Sequence, residues 1–209
     1  MFDKVNKKGQ QEFMDNLEAY FRANPNSEFN TAEWRKYMRD LSRIESGNYT
    51  YGNNGNINAA NSIGAAGYFQ MMPTSRKYAQ WKNQMQQFED YMRYLKSNND
   101  FINKNTTKEQ REYLKSLGFD QYAMNAVAHL GGVGNFLKWA KDPLGEKTNK
   151  SDGNTNLLSY AMTYTQMPKY WLDENNQMRA DYNVKDPLSY SRYVAMQPEE
   201  TPVIQQTPS

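Results

Sequence analysis

Apolar residues recur at three- and four-residue steps through most of this 209-residue chain, a spacing that buries one face of a helix and would scatter across both faces of a strand. Phe13, Leu17, Tyr20 and Phe21 share one such face, and Asn24-Pro25 ends the run. Asn30 with Glu33 gives a capping-box start, Asn standing for the usual Ser or Thr. The helix that follows places Trp34, Met38, Leu41 and Glu45 in line and stops at Gly47. Pro73 and Thr74 open the longest pattern, through Tyr78, Trp81, Met85, Phe88, Met92 and Leu95. Thr106 with Glu109 predicts another capping box, ahead of Leu114, Leu117 and a stop at Gly118. Tyr122, Ala123, Ala126, Val127 and Leu130 predict a helix of small residues broken by Gly131, Gly132 and Gly134, with a further short helix through Phe136, Leu137 and Trp139. A last helix is predicted from Leu157 to Met167, ending at Pro168.

One stretch departs from this period. Residues 49–61, YTYGNNGNINAAN, combine alternating Tyr with Gly and repeated Asn, which suggests a turn or short hairpin about Asn54-Gly55. The expected architecture is therefore all-α with a small loop or β-hairpin near residues 49–61. Residues 1–29 read as a helical N-terminal extension, 30–170 as the main domain, and 171–209 as a C-terminal extension whose end, QPEETPVIQQTPS, has no means of burying a core.

Composition limits the chemistry. Mean hydropathy is low at -1.01, yet 14% of residues are aromatic, so the core is expected to consist of Tyr, Trp, Phe and Met beneath a surface rich in amides. A net charge of +2 exerts no strong pull toward nucleic acid. With no cysteine and a single histidine, His129, disulfides, thiol nucleophiles and Cys/His zinc sites are excluded. No metal and no cofactor are expected, and no run reaches the length of a membrane span. Carboxylates, hydroxyls, amides and aromatic rings must carry any reaction.

Glu45 is the first candidate. It lies on the apolar face of its helix and in the last turn, where lost hydration and the negative end of the helix dipole both work against ionisation. A carboxylic acid kept protonated in this way can act as a general acid. The second candidate is the segment GAAGYFQMMPTS, where Gly64 and Gly67 permit close backbone approach and Gln70 offers an uncharged hydrogen-bonding group.

Glu45-Ser46, then Gly64-x-x-Gly67-x-x-Gln70 running into Pro73-Thr74, then a glycine-broken helix of small residues, together resemble the lytic transglycosylases of the soluble and goose-type lysozyme-like superfamily. The resemblance spans about residues 30 to 170. It implies a lysozyme-like fold with Glu45 as catalytic acid and base, Ser46 orienting it, and Gly67, Tyr68, Phe69 and Gln70 lining a glycan cleft. The family's third motif falls on Ala128-His129-Leu130-Gly131-Gly132, where His129 stands in place of a Tyr and Leu130 in place of an Asn. His129 and Gly132 are thereby assigned to substrate binding. The family's late Tyr, which hydrogen-bonds the catalytic Glu, is matched to Tyr164. Tyr49, Tyr51 and Tyr68 are expected to edge the groove.

Glycoside hydrolysis generally needs two carboxylates, but Ser46 to Gln70 contains neither Asp nor Glu. A single-carboxylate reaction on peptidoglycan, with Glu45 serving both proton transfers and a 1,6-anhydromuramyl product, fits that absence. A lysozyme-like hydrolase remains the alternative if Asp40, Asp120 or Asp152 reaches the cleft, and a non-catalytic glycan-binding or virion module is the other. The start, MFDKVNKKGQQEF, is polar and has no signal-peptide character. The expected setting is a phage virion, or the host cytoplasm before release, with virion proteins as further partners through the N-terminal helix and the tail.

Overall fold

Helix starts in this protein fall where a side chain accepts from the free N–H groups of the first turn. In the computed structural model, which describes residues 5–145, 147–148 and 156–164, these starts define six helices and no strand among the described residues. They are α1 (Lys7–Ala23), α2 (Ala32–Glu45), α3 (Gln84–Asn105), α4 (Lys108–Ser116), α5 (Gln121–Trp139) and α6 (Leu157–Tyr164). The fold is all-α, as the spacing predicts. Asn6, Asn83 and Asp120 cap α1, α3 and α5.

Three predicted starts differ, each because another group took the hydrogen bond. α2 is capped by Thr31, which accepts from Trp34 N at 3.3 Å, while Asn30 is engaged by the Arg35 guanidinium at 2.6 Å and the Pro25 carbonyl at 3.1 Å. The second capping box is Thr107 with Gln110, since the Thr106 hydroxyl turns back to the Ile102 carbonyl at 2.6 Å. The long pattern from Pro73 gives only a 3-10 turn, Pro73–Ser75, and α3 begins eleven residues after its first residue. Between the two, the amides of Lys77 and Tyr78 donate to the Asp90 carboxylate at 2.8 and 3.3 Å, and Trp81 N donates to Asn58 Oδ1 at 2.8 Å. Those acceptors replace the helical carbonyls.

The glycines of α5 interrupt it as the sequence predicts: Gly132 leaves helical geometry, at φ 73° and ψ 159°, so Gln121–Trp139 consists of two helices meeting at a kink. The predicted end of α6 at Pro168 and the extension 171–209 lie outside the described residues.

Two packed clusters form the core. The first is aromatic, joining Phe13 and Leu17 of α1 to Trp34, Tyr68, Phe69, Phe88 and Tyr91. α1 thus belongs to the body of the domain and does not stand apart as an extension. The second joins the far end of α3 to α4, α5 and α6 through Ile102, Leu114, Val127, Phe136, Trp139 and Leu158.

The segment between α2 and α3 makes the expected turn at Asn54-Gly55, closed by Asn56 N donating to the Asn53 carbonyl at 2.9 Å, but not as a hairpin. Its asparagines bind the backbone themselves: Asn53 donates to the Tyr49 and Thr50 carbonyls and accepts from Gly55 N, and Asn61 accepts from Ile63 N and Ala65 N. That competition leaves only isolated pairings, Ala60 with Ala66 and Ala66 with Met71. The buried amide of Gln87 closes the segment onto α3, accepting from Tyr68 N at 2.6 Å and donating to the Gly52 carbonyl at 3.0 Å. Gly67 passes beside it at φ 78°, where a Cβ would come within 2.5 Å of Gln87 Oε1 and 2.7 Å of the Trp81 ring. Gly67→Ala is therefore expected to cost about 2–3 kcal/mol of stability in a urea melt, from strain and overpacking together.

Candidate functional site

The last turn of α2 leads into an unusual piece of backbone. Gly47, Asn48 and Tyr49 all have positive φ, at 58°, 60° and 68°; Gly and Asn adopt that region readily, but for Tyr49 it is unfavourable. Ser46 holds the turn. Its hydroxyl donates to the Ser42 carbonyl at 2.5 Å and accepts from Tyr49 N at 2.9 Å. Ser46 is fully buried, so it fixes the backbone after Glu45 and presents no group to a substrate.

Glu45 itself retains 18% side-chain exposure, enough to be reached from solvent while its base is packed. Four helices bring groups around its carboxylate. The Tyr160 hydroxyl, from α6, donates to Oε1. The His129 imidazole, from α5, places Nε2 4.0 Å from the same oxygen. The Glu45 charge also raises the pKa of Tyr37 on α2, Tyr94 on α3 and Tyr164 on α6, adding to the larger effect of burial in each. Tyr160 is pushed well above the usual phenol value, chiefly by burial, with Tyr164 and Glu45 contributing. Its hydroxyl therefore stays protonated and remains a donor to Glu45 at any working pH. Burial acts on His129 in the opposite sense, lowering its pKa below 6.5, while the Glu45 charge and the Phe69 carbonyl counter part of that effect. The imidazole is neutral at neutral pH.

Because both Tyr160 and His129 face Oε1, Oε2 is the oxygen left for a reacting group. Tyr160→Phe removes the hydroxyl that holds Oε1, and with it a hydrogen bond to a carboxylate worth about 1.5–3 kcal/mol.

The remaining residues singled out in the sequence fall into two groups. Phe69 stacks on Tyr91 with ring centroids 3.5 Å apart, and through Tyr91 and its own carbonyl it reaches His129. Tyr164 packs 5.0 Å from Tyr160, one helical turn beyond it; the contact expected of Tyr164 is made by Tyr160. Gly132 supplies the bend in α5 three residues after His129. The second group serves the scaffold. Tyr68 and Tyr49 are buried at 0% and 1% exposure, Tyr68 edge-on to Phe13 at 4.9 Å, and neither edges a groove. Gln70, at φ 43°, donates to the Gly67 carbonyl at 2.9 Å and closes its own turn.

Tyr160, Tyr94 and Tyr37 are the neighbours of Glu45 that the sequence reading missed. Tyr160 precedes Tyr164 by four residues, so both occupy one helical face; that spacing was the available signal. Of the carboxylates considered as partners, Asp40 is paired with Lys36 and Arg39, Asp120 caps α5, and Asp152 lies outside the described residues. Two open pockets of about 340 and 420 Å³ share Asn16 and Asn54 on their walls, and neither is lined by Glu45 or its neighbours. No group of three or more metal-ligating side chains occurs among the described residues, and no described helix is long and apolar enough to cross a membrane. Comparison with protein-family models, with curated proteins and with solved structures finds no match to this chain.

Proposed function

We propose that this protein is a peptidoglycan lytic transglycosylase, cleaving the β-1,4 bond between N-acetylmuramic acid and N-acetylglucosamine with Glu45 as the single acid and base. The observation that carries the reading is the environment of that carboxylate: partly open, anchored through Oε1 by Tyr160, and faced by phenols and a neutral imidazole. In the protonated form Glu45 gives its proton to the glycosidic oxygen as the C1–O bond breaks, and the substrate's own acetamido oxygen supports the charge at C1. The resulting carboxylate takes the proton of the muramyl C6 hydroxyl, whose oxygen closes onto C1. The proton is returned to Glu45, no water is consumed, and the product is a 1,6-anhydro sugar.

The ion pairs of Asp40 with Lys36 and Arg39 and the capping role of Asp120 support this route over hydrolysis, which needs a second carboxylate free to act within about 5–9.5 Å of the first. The resemblance of Glu45-Ser46 and of the Gly67 to Gln70 segment to lytic transglycosylases supports the same fold and the same chemistry. The test is a digest of purified cell wall, in which anhydromuramyl ends are the expected product. A phage virion is the proposed setting, and the protein is expected in purified particles by mass spectrometry; its absence there would discard the virion assignment.

A further inference from the structure

The mechanism above leaves one titrating group of the site without a task. His129 has 8% side-chain exposure, its Nε2 lies 4.0 Å from Glu45 Oε1, and the Phe69 carbonyl also faces the ring. The rings of Tyr91 and Tyr94 meet the imidazole edge-on at 6.2 and 5.8 Å. A side chain walled in this way has little surface to offer a sugar, contrary to the substrate-binding role read from its place in the sequence. We propose that His129 and Glu45 form an electrostatically coupled acid–base pair, with His129 acting as a positioning residue for Glu45 rather than as a glycan ligand.

The groups around the imidazole define how such a pair behaves. Glu45 and Tyr37 face the site from α2, Tyr91 and Tyr94 from α3, Tyr160 and Tyr164 from α6, and the Phe69 carbonyl from the preceding loop. The phenols are all neutral, so Glu45 is the only ionic partner felt by the imidazole among the described residues. Burial of the ring penalises the imidazolium, while the Glu45 charge partly offsets that penalty, so His129 is neutral until the pH falls. A proton taken up then charges His129. An imidazolium 4.0 Å from Oε1 then makes the carboxylate a poorer base for the C6 hydroxyl, and the closing step slows.

This inference rests on the proposed reaction for its consequence, but the pairing itself is measurable without turnover. His129 is the only histidine, so its imidazole gives a single set of ring resonances in an NMR pH titration of the full chain. In the wild-type protein the midpoint is expected below the ordinary histidine value, and in Glu45→Gln, which removes the carboxylate charge, it is expected to move lower still. A midpoint that is the same in both proteins would overturn the pairing, whether or not the protein cleaves cell wall. The kinetic arm uses His129→Gln on soluble glycan strands. The pairing predicts a fall in kcat of roughly ten-fold or more, with KM little changed and the acid limb of the pH profile displaced. A raised KM with an unmoved pH profile would make His129 a sugar ligand and overturn the proposal. Absence of cleavage by the wild-type protein, with the imidazole still responding to Glu45→Gln, would instead remove the proposed function and leave the pair standing.

Discussion

Glu45→Gln is expected to lower the rate of cell-wall cleavage by about 10²–10⁴-fold, the range that a single general acid–base group supplies, and to leave the melting temperature nearly unchanged. The substitution keeps the shape of the side chain and an oxygen that can accept from Tyr160, so the four helices around it lose no packing. What it removes is the proton, which in a single-carboxylate mechanism is given in the first step and recovered in the second. Of the other carboxylates considered, Asp40 is held by ion pairs and Asp120 by a helix cap. Turnover on purified wall measured beside a thermal melt checks both halves of the expectation. An unaffected rate would remove Glu45 from the chemistry.

Asp90→Ala is expected to be the most destabilising single change in the α3 region, by about 3–5 kcal/mol, or roughly 10 °C in Tm for a chain of this size. Asp90 is fully buried, yet its two oxygens accept from Lys77 N, Tyr78 N and Trp81 Nε1, at 2.8, 3.3 and 2.8 Å. Arg93 lies 3.4 Å away as the compensating charge. Truncation strands three buried or half-buried donors and leaves the guanidinium without its partner, costs that add to the loss of each hydrogen bond. The segment tied down by Asp90 also carries Trp81, against which Gly67 packs. Differential scanning calorimetry of the variant should therefore show a broader and lower transition, and a shift of less than about 2 °C would mean that the segment is held by other contacts.

Much of the fold can be read from periodicity because the apolar stripes of α1, α2 and α3 are long and unbroken. Phe13 and Leu17, Trp34 and Leu41, and Phe88 and Leu95 all reach the core. Periodicity failed where a side chain outcompeted the helix for a backbone donor. Asp90 and Asn58 claimed the amides of Lys77, Tyr78 and Trp81, and the asparagines after Tyr49 claimed the turns that a hairpin would need. Those acceptors are remote in sequence from the backbone they bind, or act through a geometry that composition does not express.

The candidate site was legible to a similar degree. Glu45 and His129 stand out as residue types in a chain with no cysteine and one histidine, and they come together. The sequence placed Ser46, Tyr68 and Gln70 on a cleft because motif spacing cannot tell a side chain that supports a turn from one that faces a ligand. Tyr160 was passed over for Tyr164 because one turn of helix separates them and only the packing of α6 decides which hydroxyl reaches Glu45.

In the proposed reaction one carboxylate, with no second acid and no activated water, breaks the glycan. The decisive measurement is mass spectrometry of muropeptides released from purified cell wall by the full chain. Fragments that end in 1,6-anhydromuramic acid are expected, each one water lighter than the corresponding reducing-end species, and none of these from Glu45→Gln. Fragments ending in reducing muramic acid, with incorporation of ¹⁸O from labelled solvent, would contradict that reaction and assign the protein to hydrolysis.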